Sequence, residues 1–151
     1  MELLVNLDVP DLPAAQRLYT AAFGLRPGRR FGDAALEMRG AAVPLYLLAQ
    51  PDGSPGAGGQ PRDYARHWTP VHLDVVVEDL DAALERALAA GLEADDLPDR
   101  RRDPAAARAC IRQAPWGRLL RLADPFGHGW CLIQFSAAGY DAVATSGPDG
   151  D

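Results

Sequence analysis

The chain has 151 residues, a formal net charge of −6 and a pI near 5.0. This length predicts one domain with a substantial core, and the acidic balance argues against a nucleic-acid partner, which needs a clustered basic face. Arginine heavily outnumbers lysine. The one basic cluster, Arg100-Arg101-Arg102, is flanked by Asp99 and Asp103, so we interpret it as a solvated loop rather than a phosphate site.

Apolar runs and cysteine content exclude two further classes of protein. No apolar run approaches the roughly 20 residues that span a bilayer, and the N-terminus lacks a charged leader followed by an apolar stretch, so no membrane anchor or secretion signal is expected. Two cysteines, Cys110 and Cys131, make no disulfide framework. We expect a cytoplasmic protein, and the richness in Ala, Arg, Gly and Pro is typical of a bacterial source.

The first predicted unit, residues 1–50, is a strand, a capped helix and three short strands. Residues 3–9 alternate apolar and polar side chains, which predicts a strand with one apolar face. Asp11 is a good N-cap, Pro13 fits the first turn, and Gly24 can end the helix in the left-handed conformation. Strands are then predicted at about 25–31, 34–39 and 43–50.

The same pattern recurs over residues 70–135, which indicates an internal duplication. Residues 71–77 alternate, Asp79 caps a helix, and Gly91 ends it. The stretch Leu97–Ala107 is expected to be a polar loop. Further strands are predicted at about 109–113, 118–123 and 129–135.

Residues 51–69, rich in Gly and Pro, are interpreted as a flexible linker, and residues 136–151 as a mobile tail. We therefore predict an α+β protein. Its two tandem β-α-β-β-β modules are expected to form a curved, half-open mixed sheet around a cleft.

The strand faces that point away from the helices carry the first candidate site residues. Asn6 and Asp8 lie on that face in one unit, and His72 and Asp74 in the other. The two carboxylates suit a cationic or hydroxylated ligand, or a general base. The alternative is that they form salt bridges with arginines on neighbouring strands, namely Arg39, Arg118 or Arg121.

Two residues have both a structural and a chemical interpretation. The favoured interpretation of His72 is an inward side chain bonded to Asp74, Asp8 or a neighbour, and the alternative is a metal ligand or general base. The favoured interpretation of Cys131 is a buried small hydrophobe beside Ile133. Its alternative is a thiolate that binds zinc together with His72.

Several aromatic side chains can stack on a flat ligand or fill the core. Trp116, in a loop, is the best candidate for a rim contact, and Tyr46 is a second candidate. Trp68 is expected to pack over the sheet edge, and Trp130 to face the helix. His128 is expected to be exposed or to brace its loop.

The two units, together with the string Asp124-Pro125-Phe126-Gly127-His128-Gly129-Trp130-Cys131-Leu132, resemble the vicinal oxygen chelate superfamily. This group includes glyoxalase I, bleomycin-resistance proteins, fosfomycin-resistance enzymes and extradiol dioxygenases. The resemblance covers residues 3–135. It implies a cleft in which many members bind a divalent metal, which stabilises an enediolate or activates oxygen.

Carried onto this chain, the superfamily's metal site is mostly missing. His72 matches the first-strand ligand of the second unit, but the equivalent in the first unit is Leu4 or Asn6, and the last-strand ligand, usually Glu, falls on Cys131. A catalytic metal needs about three firm protein ligands. No metal or other cofactor is therefore expected.

The resemblance then implies a metal-independent protein of the bleomycin-resistance type, which binds a small aromatic or amphipathic molecule in the cleft. One alternative is a metal-dependent glyoxalase-like lyase, isomerase or dioxygenase that uses His72 and Cys131 with Zn, Ni, Fe or Mn. Another is a non-catalytic partner-binding domain. A homodimer is expected because such sheets leave open edges. The candidate ligand-binding residues are Asn6, Asp8, Tyr46, His72, Asp74, Trp116, Cys131 and Ile133.

Overall fold

Two β-α-β-β-β modules follow one another in the computed structural model, which describes residues 1, 3–97, 99 and 102–145. The elements of the first module are β1 (Val5–Val9), α1 (Leu12–Phe23), β2 (Arg26–Phe31), β3 (Ala35–Arg39) and β4 (Leu45–Ala49). Those of the second are β5 (Leu73–Val76), α2 (Leu80–Ala90), β6 (Glu93–Ala94), α3 (Pro104–Ala109), β7 (Arg112–Ala114), β8 (Gly117–Ala123) and β9 (Gly129–Phe135).

Each module builds one mixed, open sheet. The first has the strand order β1-β4-β3-β2, and the second β5-β9-β8-β6, with β7 also paired to β8. In both, the first strand runs parallel to the last, and the remaining pairs are antiparallel. The predicted fold class of two tandem modules with half-open mixed sheets is confirmed.

The two long helices begin and end where the sequence predicts. Asp11 and Asp79 each accept a hydrogen bond from a backbone N–H in the first turn, and Gly24 and Gly91 end the helices at positive φ. Each helix buries one apolar stripe, and α1 packs against α2. The helices therefore cover the same side of both sheets, so the opposite faces carry the polar residues.

The second module differs from the prediction between α2 and β8. Part of the predicted polar loop forms α3, because Asp103 accepts hydrogen bonds from the N–H groups of Ala105 and Ala106, while Pro104 suits the first turn. The strand predicted at 109–113 begins only at Arg112. The edge of β8 is thus shared by two short strands, β6 and β7. Arg100 and Arg101 of the predicted basic loop lie outside the described residues.

Segment 51–69 contains only one short 3₁₀ turn as regular helix, and its side chains connect it to both modules. The Arg62 Nε lies 2.7 Å from Asp8 Oδ2 on β1, and Tyr64 donates to the carbonyl of Gln50. Arg66 Nη2 lies 2.8 Å from Asp95 Oδ2 in the second module. The segment consequently forms one wall of the space between the sheets.

The core joins the modules through aromatic packing. Phe23 and Tyr19 of α1 place their ring centroids 4.7 and 5.2 Å from that of Trp130 on β9. Trp130 therefore faces a helix, as predicted, although the helix belongs to the other module. No helix of the described residues is long and apolar enough to cross a bilayer.

Candidate functional site

A cavity of about 650 Å³ lies between the first strands of the two modules. β1 and β5 form two of its sides, segment 56–69 a third, and the turn before β9 the fourth. Its lining combines apolar side chains with a set of polar ones that line up along these elements. The polar residues include Asn6, Asp8, Arg62, His67, His72 and His128.

His72, Asp74 and Cys131 form a cluster beside this cavity, and His72 is its member that lines the cavity. The His72 Nε2 lies 3.3 Å from Asp74 Oδ1, and Asp74 is the direct neighbour of Cys131 across β5 and β9. One potential donor atom from each residue lies within 4.8 Å of the others. The structure thus brings together the predicted pair His72 and Cys131 and adds Asp74 to it.

The Cys131 thiol is not activated in this environment. Burial, and after it the negative charge of Asp74, raises the pKa of Cys131 to about 12. The side chain is only 5 % exposed. At neutral pH the sulfur is therefore a protonated thiol, which is a poor nucleophile and fits the interpretation as a buried small residue.

Among the described residues, neither Asp8 nor Asp74 pairs with Arg39, Arg118 or Arg121, so the alternative that named these arginines is wrong. Asp8 pairs instead with Arg62 of the connecting segment, and Asp74 with His72. Strand register places the three predicted arginines nearer to other acids. Arg39 pairs with Glu37, Arg118 with Asp81, and Arg121 with Asp96.

Glu37 is a functional-face residue that the sequence analysis missed. It stands on β3 beside Tyr46, which in turn stands beside Asn6 on β1, so all three share the face opposite the helices. Its side chain is 3 % exposed. Hydrogen bonds from the Arg29 side chain, then from the Arg29 backbone N–H, and from Arg39 lower the pKa of Glu37 to about 2. A lone Glu in the apolar run of β3 was the available signal.

Five of the eight predicted ligand-binding residues do not line the main cavity, namely Tyr46, Asp74, Trp116, Cys131 and Ile133. Trp116 packs against Tyr140 and Phe135, with ring centroids 5.5 and 6.3 Å apart, and Ile133 is 1 % exposed. Neither residue lines the main cavity. Trp68, which was expected to pack over the sheet edge, is instead 82 % exposed. It borders a smaller cavity of about 200 Å³ that also reaches His72 and Cys131.

Asp124 fixes the turn that closes the cavity. Its carboxylate accepts hydrogen bonds from the Tyr19 hydroxyl (2.7 Å), Trp130 Nε1 (2.9 Å) and His128 Nδ1 (3.0 Å), and from the backbone N–H groups of Phe126 and His128. Burial alone would raise the pKa of Asp124, but the bond and charge of His128 and the bonds from Trp130 and Tyr19 hold it below its usual value. His128 thus braces its loop.

Fold and site together define the class of protein. Two β-α-β-β-β modules, a cleft between their first strands and the Asp-Pro-Phe-Gly turn before the last strand are the features of the vicinal oxygen chelate superfamily. The model of the glyoxalase-like domain family matches residues 4–133. The chain belongs to this glyoxalase-like domain family.

Solved structures support the same fold. The fosfomycin resistance protein FosX from Listeria monocytogenes has a TM-score of 0.62 at 16 % identity, over 91 % of this chain and 94 % of that one. A glyoxalase-related enzyme from Fulvimarina pelagi has a TM-score of 0.60 at 19 % identity, over 100 % of this chain and 95 % of that one. A glyoxalase/bleomycin resistance protein from Albidiferax ferrireducens has a TM-score of 0.58 at 20 % identity, over 88 % of this chain and 97 % of that one. No curated protein sequence matches this chain.

Proposed function

We propose that this protein binds a small aromatic or amphipathic molecule in the cleft between β1 and β5, without a metal. The observation that carries the proposal is the cavity of about 650 Å³, with polar groups on an otherwise largely apolar lining. Cavities of about 300–1,000 Å³ with such a lining are typical of small-molecule sites. The structural similarity to a glyoxalase/bleomycin resistance protein agrees with this function.

The first module supports metal independence because its described residues offer no free ligand of sufficient strength on the cleft face. Leu4 has no donor atom, and Asn6 is a weak ligand. Glu37 is the one carboxylate in the centre of that sheet face, and Arg29, Arg39 and Tyr46 already occupy its oxygens. A low pKa keeps it ionised, but its arginine partners would have to leave before it could bind a cation.

The expected setting follows from charge and sheet edges. A net charge of −6 disfavours nucleic acid, so we propose a small molecule as the partner. We also propose a cytoplasmic homodimer. β1 and β5 each pair on one side only within the described residues, which leaves two strand edges for a second copy.

Filling the cavity tests this function. Asn6 is exposed on β1 and lines the cavity, so Asn6→Trp places an indole in the binding space without burying new surface in the core. We expect aromatic fragments that stabilise the wild-type protein in a thermal-shift screen to lose that effect in N6W. Amide chemical shifts of β1 and β5 measured by NMR would locate the bound fragments.

Thr20→Trp is the matched control, because Thr20 is exposed on α1 and away from the cavity. T20W should retain the fragment-induced shift. Equal responses of N6W and T20W, or shifts confined to residues outside the cleft, would contradict the proposed site.

A second function, that of a metal-dependent glyoxalase-like enzyme, is favoured by the cluster His72, Asp74 and Cys131. These residues fit zinc, because imidazole, carboxylate and thiolate are its ordinary ligands and their donor atoms lie within 4.8 Å of one another. A bound ion would act as a Lewis acid. Cys131 would have to lose its proton on binding, which makes the affinity fall as the pH falls.

Zinc content tests this second function. Under it, protein dialysed against trace zinc should retain nearly one equivalent by elemental analysis, and His72→Ala and Cys131→Ala should lose it. Cys110→Ala is the matched control, because Cys110 directly follows α3, donates from its sulfur to the Ala106 carbonyl and is not in the cluster. Zinc-free wild-type protein, or equal retention in C131A and C110A, would rule out a zinc enzyme at this cluster.

A further inference from the structure

Three arginines lie close together at the outer side of the first sheet. Arg29 on β2 and Arg39 on β3 both pair with Glu37, and Arg26 on β2 stands opposite Arg39. Their sum is three positive charges against one negative charge, in a chain whose net charge is −6. This face therefore has a local charge opposite to that of the whole protein.

Arg26 and Arg39 stand directly opposite each other across β2 and β3. Like charges in such a pair destabilise a sheet. Within the described part of the chain, Arg26 has no hydrogen bond or ion pair. Arg39 has Glu37 as its counter-charge, whereas Arg26 has none among the described residues.

Glu37 orients the guanidinium groups and leaves part of them free. Its Oε2 accepts from Arg39 Nε at 2.8 Å and Arg29 Nε at 3.2 Å, and its Oε1 from Arg29 Nη2 at 2.8 Å. Both terminal nitrogens of Arg39, and Nη1 of Arg29, lack partners among the described residues. These N–H groups are donors held side by side in a fixed orientation, as anion recognition requires.

The backbone of β2 is shaped for this arrangement. The β2–β3 register shifts between Pro27 and Arg30, which turns Arg29 toward Glu37. A Cβ at Gly28 would lie 2.4 Å from Glu37 Oε2 and 2.8 Å from Arg39 Nε. A side chain at this position would push the Glu37 carboxylate or the Arg39 guanidinium group out of the observed arrangement.

An aromatic surface adjoins the free donors. Phe31 is 49 % exposed, and its ring centroid lies 6.2 Å from that of Tyr46. The Arg29 Cζ lies 6.0 Å from the centroid of the Tyr46 ring. A planar ring can pack on Phe31 while a carboxylate attached to it reaches the arginines.

From this juxtaposition we infer that the outer side of the first sheet forms a second binding site, which takes an aromatic carboxylate whose anionic group binds Arg39, Arg29 and Arg26. The inference goes beyond the proposed function, because none of these arginines lines the cavity between β1 and β5, and Glu37 lies two strand spacings, or about 10 Å, from Asn6. It assigns these arginines a binding role in addition to their support of Glu37.

The test uses one ring in three charge states. Benzoate, benzamide and benzylamine are titrated into the whole protein and followed by NMR, including the Arg Nε–H resonances. We expect benzoate to bind about tenfold more tightly than the other two and to shift the Arg39 and Arg29 side-chain signals. Arg39→Gln, which leaves Glu37 its bonds from Arg29 and Tyr46, should weaken benzoate binding by about tenfold.

Two variants make the result decisive. Arg26→Gln does not touch Glu37 and should still weaken benzoate binding by about threefold. Arg17→Gln removes the same charge from an exposed position on α1 and should change it by less than about twofold. Equal effects of R39Q and R17Q, binding of benzamide or benzylamine as tight as that of benzoate, or no shift of the Arg39 and Arg29 signals with any probe would overturn the inference while leaving the proposed function intact.

Discussion

Asp124 shows how one side chain can govern stability. The carboxylate is 2 % exposed, and five donors from α1, the turn before β9 and β9 itself satisfy it. Because ionised Asp only accepts, His128 Nδ1 must carry the proton in that bond. Burial and the adjacent carboxylate raise the pKa of Tyr19, so its hydroxyl also remains a donor.

This arrangement predicts acid sensitivity. The pKa of Asp124 is lower in the folded than in the unfolded chain, so its stabilisation is complete above the unfolded value of about 3.9 and is lost as the pH falls toward the folded value. We expect Asp124→Asn to lower the free energy of unfolding by about 2–3 kcal/mol at neutral pH. The reason is that the asparagine NH₂ group is itself a donor and would face donors that a carboxylate oxygen now accepts. Urea unfolding at pH 7 and in steps down to pH 3 measures both effects.

Asp33→Asn is the control, since Asp33 is fully exposed and its loss should change stability by less than about 0.5 kcal/mol. The acid slope of D124N should be shallower than that of wild type. Glu37, with a folded pKa of about 2, accounts for the stability that D124N still loses below about pH 4.5. A D124N protein as stable as D33N would refute the role of Asp124.

The residues that could be predicted from the sequence are those that share a repeated pattern. His72 and Cys131 were found because a strand position and a family motif mark them. Glu37 and Arg62 were missed for a physical reason: their partners depend on strand register and on contacts 54 residues apart, as in the Asp8–Arg62 pair. An alternating pattern gives the face of a side chain but not its cross-strand neighbour.

At the scale of elements, local chemistry determined most of the outcome. The helices have Asp caps and Gly ends, which act within a few residues and so can be read directly. The stretch 93–114 was harder because β6 has two residues, too few for periodicity. The Asp103-Pro104 signal for α3 was present but stood in a polar context that also suits a loop.

The whole molecule presents apolar groups beside its free strand edges. Four apolar side chains here are between 48 and 67 % exposed. Leu3 and Leu4 directly precede β1, Val71 precedes β5, and Val76 lies on β5. Covering them in a second copy removes both the apolar surface and the unpaired backbone. We expect sedimentation to give twice the 16.2 kDa chain mass.

Val76→Arg should weaken that dimer by at least about tenfold, because two copies would then bring charge into an apolar contact. Val143→Arg offers a matched control, since Val143 is also exposed (47 %) but lies in the C-terminal segment. Wild-type protein that sediments as a monomer at high micromolar concentration would contradict the dimer.

The Asp124 carboxylate of the second repeat accepts a hydrogen bond from the Tyr19 hydroxyl of the first repeat. The turn of the first repeat, Gly40 to Pro44, contains no acid that could do the same. A protein made of two copies of the first repeat would bury the Tyr19 hydroxyl without its acceptor. A protein made of two copies of the second repeat would leave the Asp124 carboxylate without one of its hydrogen-bond donors. The two repeats are therefore complementary, and neither could substitute for the other.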